Sequence, residues 1–88
     1  MAVLLLKHPV EDYEKWHRAF EDSGALRDRH GCASARPFRE AADPDSVLVL
    51  LEFAEESQAH RYLEDPELAR QMEDAGVLTM PRIEFFED

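Results

Sequence analysis

The sequence predicts an α+β fold in the order βαββαβ, with four strands in one antiparallel sheet. Three observations lead there. Two short, continuous apolar runs, Ala2–Lys7 and Val47–Phe53, have the length and composition of buried strands. After each run the apolar residues recur at the helical period. Two more polar segments, Cys32–Arg39 and Arg82–Phe86, complete the set as strands of edge character.

The first run ends at His8-Pro9, and a helix begins near Val10–Asp12, where the proline and an acidic first turn suit a helix start. Tyr13, Trp16, Phe20 and Gly24 share one face of it, and the segment closes by Gly31. Where the helix stops between Ser23 and His30 is left open by the pattern. Cys32–Arg39 is rich in small residues and ends in Pro37-Phe38-Arg39, and Ala42-Asp43-Pro44-Asp45-Ser46 is a turn. Glu55–Ala75 is helical with Ala59, Tyr62, Leu63, Leu68 and Met72 inward, broken at Asp65-Pro66 and stopped at Gly76. This is the ferredoxin-like plan, in which strands one and three are central and two and four are edges. The apolar composition falls on the two central positions.

All 88 residues form a single domain, too short to bury a generous core unaided. Ala2-Val3-Leu4-Leu5-Leu6 and Val47-Leu48-Val49-Leu50-Leu51 do not alternate with polar residues, although helices cover one sheet face only. Both faces therefore need to be dry, and the expected cover for the second face is the sheet of an identical chain. Leu4, Leu6, Leu48 and Leu50, or their odd-numbered neighbours, are expected in that interface.

Ten Lys and Arg against 20 Asp and Glu give a net charge of −10, which argues against nucleic acid or anionic membrane as a partner. One cysteine, Cys32, excludes an internal disulfide, and no apolar run approaches the roughly 18 residues of a membrane span. The opening residues lack the charged start of a secretion signal, so a cytoplasmic location is expected. The chain carries no CxxC pair and no phosphate-binding glycine loop, and His8, His30, His60 and Cys32 have no metal-ligand spacing. Neither a metal nor another cofactor is expected.

The element order, the Asp12-Tyr13-x-x-Trp16-x-x-x-Phe20 helix, the Asp65-Pro66-Glu67-Leu68 break and the Ala75-Gly76-Val77 stop resemble the dimeric α/β-barrel superfamily. That group includes antibiotic-biosynthesis monooxygenases and aromatic polyketide cyclases. The resemblance spans nearly the whole chain, and its motifs specify fold better than reaction. It implies two sheets facing each other in a homodimeric barrel, with a pocket in each subunit between sheet and helices. It further implies cofactor-free chemistry on a hydrophobic, polyketide-like or phenolic molecule: aldol-type cyclisation, or oxygenation of a substrate that ionises in the pocket. The haem-degrading members use an Asn-Trp-His set, which a chain without asparagine cannot reproduce.

With Tyr13 at zero and ~100° per residue, His17 falls roughly 40° to one side of the aromatic face. Two readings of it stand: a general base at the pocket edge, or a structural boundary histidine. Tyr13, Trp16, Phe20 and Tyr62 are candidate substrate-binding walls, opposite the small residues of strand two. Arg36 and Arg39 differ in parity and so point to opposite faces, with Arg36 the candidate anchor for a developing oxyanion. The functional expectation is a homodimeric cyclase or monooxygenase; the alternative is a non-catalytic binding or accessory protein.

Overall fold

The computed structural model describes residues 1–88. Strands β1 (Ala2–Pro9), β2 (Cys32–Arg39), β3 (Ser46–Phe53) and β4 (Arg82–Glu87) form one antiparallel sheet in the order β2-β3-β1-β4. The helical layer is four short helices: α1 (Tyr13–Asp22), α2 (Gly24–Arg29), α3 (Glu56–Glu64) and α4 (Pro66–Asp74). The βαββαβ reading therefore holds, with each helical segment split in two.

Local chemistry explains both splits. Asp12 caps α1 by accepting a hydrogen bond from the Glu14 N–H at 3.2 Å. At the other end the Ser23 hydroxyl donates to the Phe20 carbonyl at 2.8 Å, and α2 restarts at Gly24. Farther along, Pro66 cannot continue α3 and instead occupies the first turn of α4, whose Glu67 N–H donates to the Asp65 carboxylate at 2.9 Å. His30 Nε2 lies 2.8 Å from that same carboxylate, tying the turn before β2 to the α3–α4 junction. Arg29 reinforces the tie with a 2.7 Å bond to Glu67.

The β1–β3 register decides which residues are covered. Leu4 faces Leu51 and Leu5 faces Leu50. Leu4, Leu6, Val49, Leu51 and Phe53 are buried under the helices, joined there by Trp16, Leu26, Ala59, Tyr62 and Leu68. Val3, Leu5, Leu48 and Leu50 share the uncovered face and are half-buried. Leu4, Leu6, Leu48 and Leu50, expected together, therefore do not share one face, and neither do their odd-numbered neighbours. Antiparallel partners here have opposite parity, so odd residues of β1 join even residues of β3 on the open face. Phe38 and Phe86 extend that face at its two edges and are 39% and 49% exposed.

Gly31 turns the chain from α2 into β2 at φ +78°, where a Cβ would lie 2.5 Å from Gln58 Nε2. Gln58 cannot move freely, because its Oε1 accepts the Glu55 N–H at 2.9 Å in the capping box of α3. Gly31→Ala should destabilise the fold by ~1–3 kcal/mol. Gly24→Ala, in a helix with nothing nearer than the Arg27 guanidinium at 3.8 Å, should be neutral or stabilise by up to ~1 kcal/mol. Urea denaturation of the two variants checks this contrast.

Candidate functional site

A cavity of about 310 Å³ lies between the helices and the covered face of the sheet. Ten of its 16 lining residues are hydrophobic, which suits an apolar ligand of modest size. Leu6, Val49 and Leu51 form the sheet side, and Trp16, Phe20, Tyr62 and Leu68 the helix side. Trp16 and Phe20 stack at 5.3 Å between ring centroids, so one wall is a continuous aromatic surface.

Three polar groups stand out against this lining. Tyr62 is 5% exposed, and burial pushes its phenol up to about 12, with the nearby Arg27 charge opposing the rise. It therefore stays protonated across the physiological range and can donate a hydrogen bond. Arg27 lines the cavity as a permanent cation. Its guanidinium is braced by the Ser23 hydroxyl at 2.8 Å and the Phe20 carbonyl at 2.9 Å, and lies 4.1 Å from the Phe20 ring centroid.

The third group is His8. Its ring lines the cavity, meets Trp16 edge-on at 5.9 Å and is 4% exposed, yet Nδ1 has no hydrogen-bond partner. An unpaired buried polar atom costs ~1–3 kcal/mol. Burial lowers the His8 pKa from its ordinary value; the Pro9 backbone opposes this only in part, without a bond of good geometry to Nδ1. The imidazole is thus held neutral.

Of the residues singled out in sequence, Trp16, Phe20 and Tyr62 meet at the cavity and the others do not. Tyr13 packs against the core beside Trp16 but outside the lining. His17 is also outside it: its Nδ1 pairs with Glu21 one helical turn on at 3.1 Å, and the side chain is 35% exposed. Arg36 points away altogether. Opposite Leu50 on β3, it occupies the uncovered sheet face, with its guanidinium 5.1 Å from the Phe38 ring. Arg39 takes the helix side instead, 4.3 Å from the Tyr13 ring. His8 and Arg27 were the missed members. His8 shares the parity of Ala2, Leu4 and Leu6, which is a legible signal for the covered face. Arg27 had none, because the break at Ser23 hides its direction.

Elsewhere, burial raises the Cys32 thiol pKa, which opposes nucleophilic use of that residue. No group of three or more His, Cys, Asp and Glu side chains is arranged to hold a metal ion, and no helix is long and apolar enough to cross a membrane.

No protein-family profile matches this sequence, and no curated protein is similar to it. Solved structures are similar in fold. The cofactor-independent oxygenase SnoaB of Streptomyces nogalater superimposes with a TM-score of 0.80 at 15% identity, over 99% of this chain and 91% of that one. A Bordetella bronchiseptica protein provisionally described as an antibiotic biosynthesis monooxygenase gives 0.83 at 9% identity, over 99% and 95%. The Streptomyces coelicolor monooxygenase from the gene ActVA-Orf6, solved with the ligand nanaomycin D, gives 0.70 at 20% identity, over 99% and 86%. At these identities the likeness establishes the ferredoxin-like α+β fold that those proteins share.

Two expected outcomes follow from the placement of the histidines. The unfolded chain protonates His8 near its ordinary value of 6.5, whereas the folded chain holds it neutral to lower pH. Stability should therefore fall as pH drops below about 6.5, with no contribution from His8 above it. His8→Gln should flatten that part of the curve relative to wild type, measured by urea denaturation between pH 5 and 8. His17→Ala, by contrast, removes an i,i+4 pair at the helix surface and a 5.6 Å ring contact with Tyr13, and should cost no more than ~1 kcal/mol.

Proposed function

We propose that this chain is a homodimeric, cofactor-independent monooxygenase acting on a hydrophobic phenol of polyketide-like character. The observation that carries the reading is the aromatic cavity, which presents a protonated phenol and a fixed guanidinium among mostly apolar walls. A phenol bound there can ionise, with Tyr62 and Arg27 offering a hydrogen bond and a positive charge to the anion. A phenolate is electron-rich enough to react directly with dioxygen. Phenol plus O₂ gives quinone plus water, so the substrate supplies the electrons and no external reductant enters the balance. The fold shared with a cofactor-independent oxygenase supports the same chemistry.

Dimerisation belongs to the same reading. Val3, Leu5, Leu48, Leu50, Phe38 and Phe86 make one apolar surface on the face away from the helices. On that face Lys7 pairs with Glu40 at 3.0 Å and Arg82 with Glu84 at 2.8 Å, and Arg36 is offset by Glu52, so a second copy can meet it without net charge repulsion. Burying apolar area at ~25 cal/mol per Å² gives such a contact the scale of a whole domain's stability.

The test of activity is aerobic incubation with a polycyclic phenol under ¹⁸O₂, without added metal or flavin. One labelled oxygen atom in a quinone product is expected. Binding without turnover would leave a non-catalytic binding protein, and ring closure without label a cyclase. For assembly, sedimentation of the wild-type chain should give twice the monomer mass. Leu5→Glu combined with Leu50→Glu should dissociate, aggregate or unfold; a soluble, well-folded monomer from the wild-type chain would remove the dimer.

A further inference from the structure

We propose that His8 is the group that takes the substrate's proton, and that the cavity accordingly suits a phenol or enol whose O–H is acidified by conjugation to a carbonyl. This inference rests on the reading of the cavity given above and adds the base that the reading lacks.

Elimination leads to His8. The ionisable and charged side chains that line the cavity are His8 from β1, Asp22 from α1, Arg27 from α2, Tyr62 from α3 and Asp74 from α4. Arg27 does not give up its proton, and Tyr62 keeps its own. Asp22 and Asp74 are exposed at the rim, in water. Only His8 combines burial with a lone pair available near neutral pH. The other histidines are engaged elsewhere: His17 with Glu21, His30 with Asp65, and His60 with Glu56 and the face of Phe85.

Geometry supports the assignment independently. His8 is 4% exposed, lines the cavity, and its Nδ1 has no hydrogen-bond partner of good geometry, the Pro9 backbone acting on the ring only in part. A structural core histidine would normally have both nitrogens accounted for. Here the edge-on contact with Trp16 fixes the ring sterically, and the Pro9 backbone is the one polar group of the chain that acts on it.

The substrate class follows from the weakness of this base. The apolar surroundings oppose formation of an imidazolium, so an ordinary phenol would keep its proton. A hydroxyl conjugated to a carbonyl is a stronger acid and spreads the resulting charge over two oxygens. In the step itself the substrate O–H bond breaks and an N–H bond forms on the lone-pair nitrogen of His8. The electron pair stays on the substrate as an enolate or phenolate, and nothing is oxidised. The imidazolium and the Arg27 guanidinium then flank the anion with positive charge.

Two probes separate this inference from the reading beneath it: 4-nitro-1-naphthol, whose anion absorbs at longer wavelength than the neutral form, and its methyl ether, which has no proton to lose. Both should bind the wild-type chain. In His8→Gln the methyl ether should bind as before, while the ratio of ionised to neutral bound naphthol should fall about tenfold, one unit in apparent pKa. If both probes bind and the substitution leaves that ratio unchanged, His8 is not the acceptor and the cavity reading survives. If neither probe binds the wild type, the cavity reading fails and this inference with it. Should the variant not fold, ¹⁵N spectra of the imidazoles in the unaltered chain decide. One of the four histidines should move to the protonated pattern with the naphthol and not with the ether. No movement overturns the proposal.

Discussion

The pairing of β1 with both of its neighbours is the constraint on which the rest of the molecule depends. From Ala2 to Lys7 each residue has a partner on β3 and another on β4, so no residue there can turn independently. Both ends of the strand are pinned as well. The Asp88 N–H donates to the Met1 carbonyl at 3.0 Å, and the Val10 N–H donates to the Asp45 carbonyl at 2.7 Å. A slip of one residue would exchange the two faces, placing Lys7 among the core side chains and His8 outside. The register therefore fixes at once which leucines make the core, which make the open apolar face, and where the buried imidazole stands.

The charge distribution is consistent with that division. A net charge of −10 sounds hostile to an anionic intermediate, yet the acidic side chains are spent at the periphery. Glu14, Glu56 and Glu67 occupy first turns of helices, where the dipole favours them, and Asp12 and Asp65 serve as caps. Asp65 is further committed: the His30 hydrogen bond and then the Glu67 N–H hold its carboxyl below the usual range. Within the cavity the fixed charge that remains away from the rim is Arg27. An acidic protein can thus keep an interior whose polarity suits anions, because its field outside is screened by water and salt.

Much of this architecture was legible in the residues, and the failures have definite causes. The apolar runs and the change of period gave the βαββαβ order, and the face shared by Trp16 and Phe20 identified one wall of the cavity. Tyr62 followed from its helical spacing with Ala59. His17 misled because a wheel reports direction at the helix surface and ignores competition for the side chain; Glu21, four residues on, was the competing partner. Arg36 failed through register. The β2–β3 pairing shifts between Cys32 and Ser34, and parity counted along β2 alone could not say which arginine faced the helices. Of the leucines expected together on one face, Leu48 and Leu50 lie on the open face and Leu4 and Leu6 on the covered one, since the relative parity of two strands is a property of their pairing.

Backbone accounting at the end of β1 explains why His8 is left unpartnered. The pairing with β4 stops at Lys7 opposite Arg82, and prolines flank the ladder there, Pro9 on one strand and Pro81 just before the other. A proline contributes no N–H, so the ladder cannot continue through it. The polar groups beyond it are satisfied by the segment after α4 and by the turn before β3. Leu78 N–H donates to the Pro9 carbonyl at 3.2 Å, Glu11 N–H to the Gly76 carbonyl at 2.8 Å, and Val10 N–H to Asp45. Those groups are largely satisfied by one another, and the Pro9 backbone acts on the imidazole only in part, so Nδ1 of His8 has no hydrogen-bond partner of good geometry. Trp16 fills the adjoining space with ring edge and face rather than with a bond to the imidazole. A nitrogen left over in this way is costly to stability, and the chain retains that cost in a residue that lines the cavity.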